Sequence, residues 1–307
     1  MNRFSLLLKE VKSIFALCLI LGSVTSINAQ EKDIPESVAI KITDGIYVHQ
    51  RWGANITICS GKDGLMIIDT GYPGSAAYSD SIIRAVFQKP VKYVVNTHLH
   101  FDHVGGNNLF SRGDGVIIAH ENTRRRMMQE WRVPEIPEIP DLRMPVIPPF
   151  PEDYLPNVCF HDSLNIYFND QLIRFIHIPG GHSDCDVVIE FSNKNAIQTG
   201  DLFLSNSFPP IEGSAEGYLA AVEKIIGMCD ENTIVIPGHG PVSDRNGLIK
   251  YHEMISVASS RIKSLKSEGK NLKEVLDSNP LAGLLDGESM VSEELFIYCV
   301  FNDGIQY

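Results

Sequence analysis

A dense run of metal-binding residue types follows a predicted strand, and it constrains this chain more than any other feature. Residues 97–103 read Thr-His-Leu-His-Phe-Asp-His, directly after the apolar residues 91–95 that predict a buried strand. Imidazole nitrogens and carboxylate oxygens are ligands that zinc takes in proteins. Four such groups within six residues favour a metal-binding loop over a polar turn. The candidate ligands in this run are His98, His100, Asp102 and His103.

Three further candidate ligands lie singly on glycine-rich loops, each after a predicted strand. His182 lies in Gly-Gly-His-Ser-Asp, Asp201 in Thr-Gly-Asp, and His239 in Pro-Gly-His-Gly-Pro. Glycine lets the backbone turn sharply and lets neighbouring chains approach closely. Because side chains at strand ends project beyond the edge of a sheet, we expect all three to join the first run in one site.

Alternating strands and helices, without a nucleotide-binding glycine loop, predict a layered α/β sandwich. Apolar runs predict strands at residues 46–48, 56–58, 65–68, 91–95, 116–119, 166–168, 172–178, 187–191, 196–199 and 233–236. Helical spacing predicts helices at residues 79–87, 121–131, 215–228 and over most of the chain after residue 248. Residues 134–156 hold eight of the seventeen prolines, so we expect an extended loop that either shapes substrate access or is a plain connector.

The first 29 residues have the pattern of a signal peptide. Three basic residues precede the almost wholly apolar residues 13–24, and Ala29 marks a plausible cleavage point. We therefore expect a periplasmic or secreted protein without stable membrane insertion after cleavage; an uncleaved anchor is the alternative. The expected mature chain has a catalytic domain at residues 30–250 and a C-terminal helical segment at residues 251–307, packed on the same domain.

The net charge argues against nucleic acid as a partner, so we expect a small-molecule substrate. The whole chain carries −12, and removal of residues 1–29, with a net charge of +2, leaves −14. The basic run Arg124–Arg126 is too short for a nucleic-acid footprint, and we interpret it as helix surface that needs no partner. Five widely spaced cysteines remain after cleavage, an odd number that disfavours a disulfide framework. Nothing in the sequence specifies an oligomeric state.

The order His-x-His-x-Asp-His, Gly-His-Ser, Gly-Asp and Gly-His-Gly resembles the metallo-β-lactamase superfamily over about residues 40–245. Asp69, in Ile-Ile-Asp-Thr-Gly, matches the early aspartate of that family. In the family this aspartate supports the metal-binding loop from the second coordination shell. The resemblance implies an αβ/βα four-layer sandwich, with two β-sheets between helical layers and the site at one edge. Here a C-terminal helical extension would follow the sandwich.

The resemblance also implies a dinuclear metal centre. By position it assigns His98, His100 and His182 to a first ion, Asp102, His103 and His239 to a second, and Asp201 to a bridge between them. Two Zn²⁺ ions are expected, with iron or manganese as alternatives. Such a pair shares a hydroxide that attacks a carbonyl, and the catalytic Asp102 would orient it or shuttle its proton.

The residue type at position 201 distinguishes the branches of the superfamily that this chain resembles. The best-known antibiotic-hydrolysing members carry cysteine or serine there, whereas a bridging aspartate is typical of glyoxalase II-like thioesterases, lactonases, sulfatases and phosphodiesterases. The sequence looks most like exported metallo-hydrolases, so we expect cleavage of an ester, lactone, thioester or amide bond. β-Lactam hydrolysis is one alternative. A mononuclear-iron dioxygenase or a non-catalytic binding protein on the same fold is the alternative of another class.

A few residues near the motifs have two interpretations each. Cys185 departs from the family pattern; it either approaches the metals or, as free cysteine more often does, packs in the core. Trp52 and Tyr218 are candidates for lining a substrate pocket. The other histidines are expected to be ordinary core or surface residues: His49, His120, His161, His177 and His252.

Overall fold

The computed structural model describes residues 34–50, 53–132, 135–140, 142 and 146–305. These residues, from Ile34 onward, belong to one compact unit. The predicted signal peptide, Trp52 and two prolines of the proline-rich segment, Pro134 and Pro145, lie outside the described residues. Within the described part of the chain, no helix has both the length and the apolar composition needed to cross a membrane.

The first β-sheet has seven strands in chain order. They are Ile40–Thr43 (β1), Ile46–His49 (β2), Ile56–Gly61 (β3), Gly64–Ile68 (β4), Val91–Val95 (β5), Val116–His120 (β6) and Val158–Phe160 (β7). Strands β1 to β4 pair antiparallel, and β4 to β7 pair parallel. Parallel neighbours end at the same edge of a sheet, so the loop after β5 opens at an edge shared with the ends of β4 and β6.

The second β-sheet has six strands in the order β13-β12-β11-β10-β9-β8. They are Ser163–Phe168 (β8), Gln171–His177 (β9), Val187–Phe191 (β10), Ala196–Gln198 (β11), Ile234–Ile236 (β12) and Ser243–Asp244 (β13). Only β11 and β12 pair parallel; the other pairs are antiparallel. The loops after β11 and β12, which carry two candidate ligands, therefore leave this sheet side by side.

Eight α-helices connect or cover these strands in the described residues. They are Pro73–Phe87 (α1), Phe101–Val104 (α2), Asn107–Phe110 (α3), Glu121–Met127 (α4), Ala215–Met228 (α5), Arg245–Ser267 (α6), Leu272–Asp277 (α7) and Glu293–Asn302 (α8). Two short 3₁₀ helices lie at Glu152–Tyr154 and Gly200–Leu202.

Apolar contacts stack the sheets and helices into four layers. The sheets face each other across a core that includes Met66 of the first and Phe175 of the second. Helix α1 covers the outer face of the first sheet through Ile83. Helices α5 and α6 cover the outer face of the second sheet through residues such as Val222 and Ile255. Strand β4, Gly-Leu-Met-Ile-Ile, is apolar almost throughout because it is buried on both faces.

The helix predicted at residues 121–131 is too long, since the observed helix α4 ends at Met127. Trp131 instead pairs antiparallel with Ile147, each N–H donating to the other residue's carbonyl oxygen at 2.8 Å. The proline-rich segment thus folds back onto the chain and draws Trp131 out of the helix. Further along, helix α6 spans the domain boundary predicted between residues 250 and 251.

Candidate metal centre

The candidate ligands lie on loops at one edge of the two sheets. The run that begins at His98 follows β5, Asp201 follows β11, and His239 follows β12. The Gly238 N–H donates to the carbonyl oxygen of Gly200 at 2.8 Å, which holds the last two loops together. Residues far apart in sequence therefore converge because strand ends from both sheets meet at this edge.

The seven side chains form two groups, and within each group all ligand atoms lie within 4.8 Å of one another. The first group is His98, His100, His182 and Asp201, and the second is Asp102, His103 and His239. The six other ligands divide as in the assignment that the family resemblance implies, and Asp201, which that assignment makes a bridge, falls in the first group.

Hydrogen bonds assign the protons on two rings of the first group. Thr97 Oγ1 donates to Asp69 Oδ2 at 2.8 Å, so it accepts from His98 Nδ1 at 3.0 Å. His182 Nδ1 donates to the carbonyl oxygen of Pro210 at 2.7 Å. A neutral imidazole carries one proton, so Nε2 of each ring is left with a lone pair.

His100 completes the first group with the opposite tautomer. Its Nε2 donates to Glu212 Oε1 at 3.0 Å, which leaves the lone pair on Nδ1. That Nδ1 lies 3.0 Å from His98 Nε2 and 2.8 Å from His182 Nε2. Burial and the neighbouring His100 ring lower the pKa of His182 to about 4, so the His182 ring is neutral at neutral pH and its Nε2 keeps a lone pair. Three lone pairs that face one another in this way fit a cation.

Asp201 lies between the two groups and turns one carboxylate oxygen toward each. Its Oδ2 lies 3.9 Å from His98 Nε2 and 3.7 Å from His182 Nε2. Its Oδ1 lies 3.2 Å from His103 Nε2 and 3.4 Å from His239 Nε2. These approaches to Oδ1 lack hydrogen-bond geometry, so this buried oxygen has no hydrogen-bond partner among the described residues. An oxygen buried without a partner is costly, and a shared cation would satisfy it.

The second group pairs imidazoles with carboxylates. Asp102 Oδ2 lies 3.8 Å from His103 Nε2 and 3.3 Å from His239 Nε2. Burial lowers the pKa of His239, but the charges of Asp201 and Asp102 outweigh it and raise that pKa to about 9. Burial raises the pKa of Asp102, but the charges of His103 and His239 lower it to about 2. Ring protons thus balance the carboxylates until a cation displaces them.

Asp69 supports the metal-binding loop from the end of β4. Its Oδ1 accepts from the Thr97 N–H at 2.8 Å, and its Oδ2 accepts from His103 Nδ1 at 2.8 Å. The bond to His103 fixes the tautomer that presents Nε2 to the second group. Asp69 itself is fully buried and has a left-handed φ of 60°, a conformation that aspartate tolerates better than most residues.

Glu212 is a functional residue that sequence reasoning missed. Its carboxylate is 8% exposed and accepts from both His100 and Arg126, whose Nη2 lies 3.0 Å from Oε1. A single glutamate in a loop carries no sequence pattern that indicates this role. The interpretation of Arg124–Arg126 as helix surface is wrong for Arg126, because its side chain is largely buried and pairs with Glu212 and Asp184.

A methyl group at Gly238 is expected to disturb the bridge. An added Cβ would lie 2.0 Å from Asp201 Oδ1 and 2.7 Å from the carbonyl carbon of Gly200. We expect Gly238→Ala to weaken the binding of a divalent metal ion by roughly 10–100-fold, as for other losses of ligand positioning. Competition with a chelating dye measures this affinity. Gly227→Ala is the matched control, since its Cβ would meet nothing within 4 Å; equal affinities in both variants would contradict the prediction.

A cavity of about 380 Å³ opens above the two groups. His100, Asp102, Asp201 and His239 face into it, and Asp102 is the most exposed candidate ligand, at 22% of its side chain. The remaining walls are largely apolar and comprise Gly53, Phe101, Trp131, Leu142, Pro210, Met290, Val291, Ser292, Leu295 and Ile305. The proline-rich segment contributes Leu142 to this wall, and the C-terminal segment contributes five residues.

Tyr218 and Cys185, which each had two interpretations, are core residues. The prediction that Tyr218 lines a pocket is wrong, because it is fully buried and its hydroxyl donates to the backbone oxygen of Asp201 at 2.9 Å. Cys185 is also fully buried, in a cluster with Leu99 and Met127, and burial raises the pKa of its thiol to about 12. Cys185 therefore has the environment of a structural thiol, and all five described cysteines are free.

Comparison with known proteins agrees with this geometry. The sequence profile of the metallo-β-lactamase superfamily matches residues 50–239. The chain is 21% identical to a metallo-beta-lactamase type 2 of Bacillus cereus over 229 residues, which are 70% of this chain and 81% of that protein. It is 26% identical to an N-acyl homoserine lactonase of Bacillus cereus over 95 residues, or 23% of this chain and 38% of that protein.

A solved structure shows the same fold. The sec-alkylsulfatase Pisa1 from Pseudomonas sp. superposes with a TM-score of 0.60 at 17% identity, covering 86% of this chain and 49% of the sulfatase. The predicted αβ/βα sandwich is thereby confirmed. Since the family profile matches more than half of the sequence, the chain belongs to the metallo-β-lactamase superfamily.

Proposed function

We propose that this protein is an exported, dinuclear metal-dependent hydrolase, with zinc as its metal, that cleaves an ester, lactone, thioester or amide bond of a small molecule. The observation that carries the proposal is the convergence of unprotonated ring nitrogens from His98, His100 and His182, with Asp201 turned toward this group and toward the second. Neutral imidazole and carboxylate are a donor set that suits zinc, although iron and manganese accept it too.

Each side chain then has a defined task. His98, His100 and His182 would hold the first ion, Asp102, His103 and His239 the second, and Asp201 would span both. When bound, two such ions polarise the scissile group and lower the pKa of water to roughly 7. Asp102 lines the cavity beside this centre, so its carboxylate is placed to hold or accept a proton from the reacting water.

The relatives support hydrolysis and leave several bond types open. The names of the matched proteins describe a β-lactamase, a lactonase and an alkylsulfatase. β-Lactam hydrolysis is retained as a second candidate because the relative that covers 70% of this chain is a β-lactamase. Seven candidate ligands in two groups favour two ions over the single iron of a dioxygenase.

Metal analysis together with a substrate panel tests the proposal. We expect about two zinc ions per purified chain, the number that a shared-hydroxide site requires. Hydrolysis of at least one member of an ester, lactone, thioester, amide and β-lactam panel should disappear with a chelator and return with zinc. One iron per chain, or catalysis that survives complete metal removal, would contradict the dinuclear hydrolase.

Export is tested separately. Expression of the full chain in a bacterium is expected to give periplasmic or secreted protein whose mass corresponds to a start at Gln30, because Ala29 ends a signal-like segment. Intact-protein mass spectrometry of cell fractions measures this. A chain that retains residues 1–29 in the membrane fraction would support the uncleaved anchor instead.

A further inference from the structure

We propose that the cavity selects substrates with an uncharged, apolar acyl group, and that the C-terminal segment 290–305 recognises this group. The substrate class would be medium-chain carboxylic esters or the corresponding lactones. The inference rests on the proposed hydrolase function and deepens it. Hydrolysis adds water across the acyl C–O bond and releases a carboxylic acid and an alcohol, with the acyl chain against this segment and the carbonyl at the metal centre.

The chemistry of the wall favours an apolar group. Met290, Val291, Leu295 and Ile305 face the cavity. Among the described lining residues outside the candidate ligands, the polar side-chain groups are the hydroxyl of Ser292 and the indole N–H of Trp131, and only Ser292 belongs to this segment. Its hydroxyl is engaged at the start of helix α8, where it donates to Glu294 at 2.6 Å and accepts from the Leu295 N–H at 3.3 Å. Contact with an apolar chain is the favourable interaction that the wall offers.

Hydrogen bonds hold the wall at a fixed distance from the metal centre. The Val291 N–H donates to Ser207 Oγ at 3.1 Å, and the Ile305 N–H donates to the carbonyl oxygen of Ile211 at 3.0 Å. Both acceptors lie in the segment that follows Asp201 in the chain. Because the wall is hydrogen-bonded to this segment, the depth of the cavity is fixed. We therefore expect an upper limit on the length of the acyl chain that it accepts.

The wall belongs to a part of the chain that the family profile does not cover. The profile ends at residue 239, whereas these wall residues lie at 290–305. The shared motifs therefore supply the metal chemistry, and this chain's own C-terminal segment supplies one side of the substrate cavity. Selectivity among related hydrolases is set by such walls, since ligands of the same type serve many bond classes.

A chain-length series of 4-nitrophenyl esters, from acetyl to decanoyl, tests the inference on zinc-loaded protein. We expect kcat/KM to rise by about fourfold for each buried methylene until the cavity is full, and then to fall. Met290→Glu places a charge on the wall and should lower kcat/KM for the octanoyl ester on the order of tenfold, and less for the acetyl ester. Met128→Glu is the matched control, because Met128 is equally exposed, at 54%, and does not line the cavity.

The outcomes separate this inference from the proposed function. Hydrolysis without a length gradient, or equal losses in both glutamate variants, would overturn the inference and leave the hydrolase standing. If no ester is hydrolysed, calorimetry of octanoate and acetate binding to zinc-loaded protein tests whether the cavity recognises an acyl chain. Tighter binding of octanoate than of acetate, weakened by Met290→Glu, would support recognition of the acyl group by segment 290–305 even without the proposed reaction. Equal binding of the two acids would refute this recognition.

Discussion

Replacing Asp201 with asparagine is expected to reduce the rate of hydrolysis by more than roughly 100-fold. That factor is the upper range for loss of a residue that only hydrogen-bonds a metal ligand. Among the described residues, Asp201 is the one carboxylate whose two oxygens face both groups, so under the proposed function the variant would lose a charged ligand of each ion. We expect fewer than two zinc ions per chain after dialysis. Elemental analysis of the purified variant measures the metal, and the active substrate from the panel measures the rate.

The control for Asp201→Asn is another buried aspartate that is remote from the centre. Asp80, on helix α1, is 1% exposed and is paired with Arg84 and Arg112. Asp80→Asn should cost stability but keep the wild-type metal content, because none of its partners is a candidate ligand. If Asp201→Asn binds two ions with wild-type affinity, then Asp201 does not bridge them.

Replacing Glu212 with glutamine is expected to weaken zinc binding or activity by roughly 10–100-fold. The carboxylate orients His100 by accepting its Nε2–H at 3.0 Å, and it makes the first-group nitrogen more basic. The variant also removes one of the two carboxylates that pair with Arg126, while Asp184 keeps its ion pair, so the unfolding free energy should fall by as much as about 3 kcal/mol. Dye competition and urea unfolding measure the two effects.

A double variant separates the effect of Glu212 on the position of His100 from its effect on the stability of the protein. Arg126→Met combined with Glu212→Gln removes both charges, and it should recover part of the unfolding free energy without recovering zinc affinity. Visible spectra of the cobalt-substituted protein report ligand geometry and should differ from wild type in both Glu212 variants. Glu190→Gln is the matched control, since Glu190 pairs with Arg174 at 3.0 Å away from the centre. Wild-type zinc affinity and cobalt spectra in Glu212→Gln would show that Glu212 does not position His100.

Much of the candidate centre is predictable from the sequence, because each ligand motif is local. A strand, a glycine-rich turn and a ligand are contiguous around Asp201, so strand patterning indicates where that side chain emerges. The same holds for His239, and for the run after β5 that begins at His98. The alternation of these strands with helices was sufficient to predict the layered fold.

The distant residues that complete the centre are not predictable from the sequence, because packing between remote segments brings them there. Glu212 is 112 residues from His100 in sequence, and nothing adjacent to either position indicates that they meet. The sequence leaves Tyr218 as a candidate for lining the substrate pocket, yet packing of helix α5 on the second sheet buries it completely. The apolar wall at 290–305 closes over motifs that end at residue 239. Contacts of this kind depend on how complete layers pack, whereas ligand motifs depend on the backbone within a few residues.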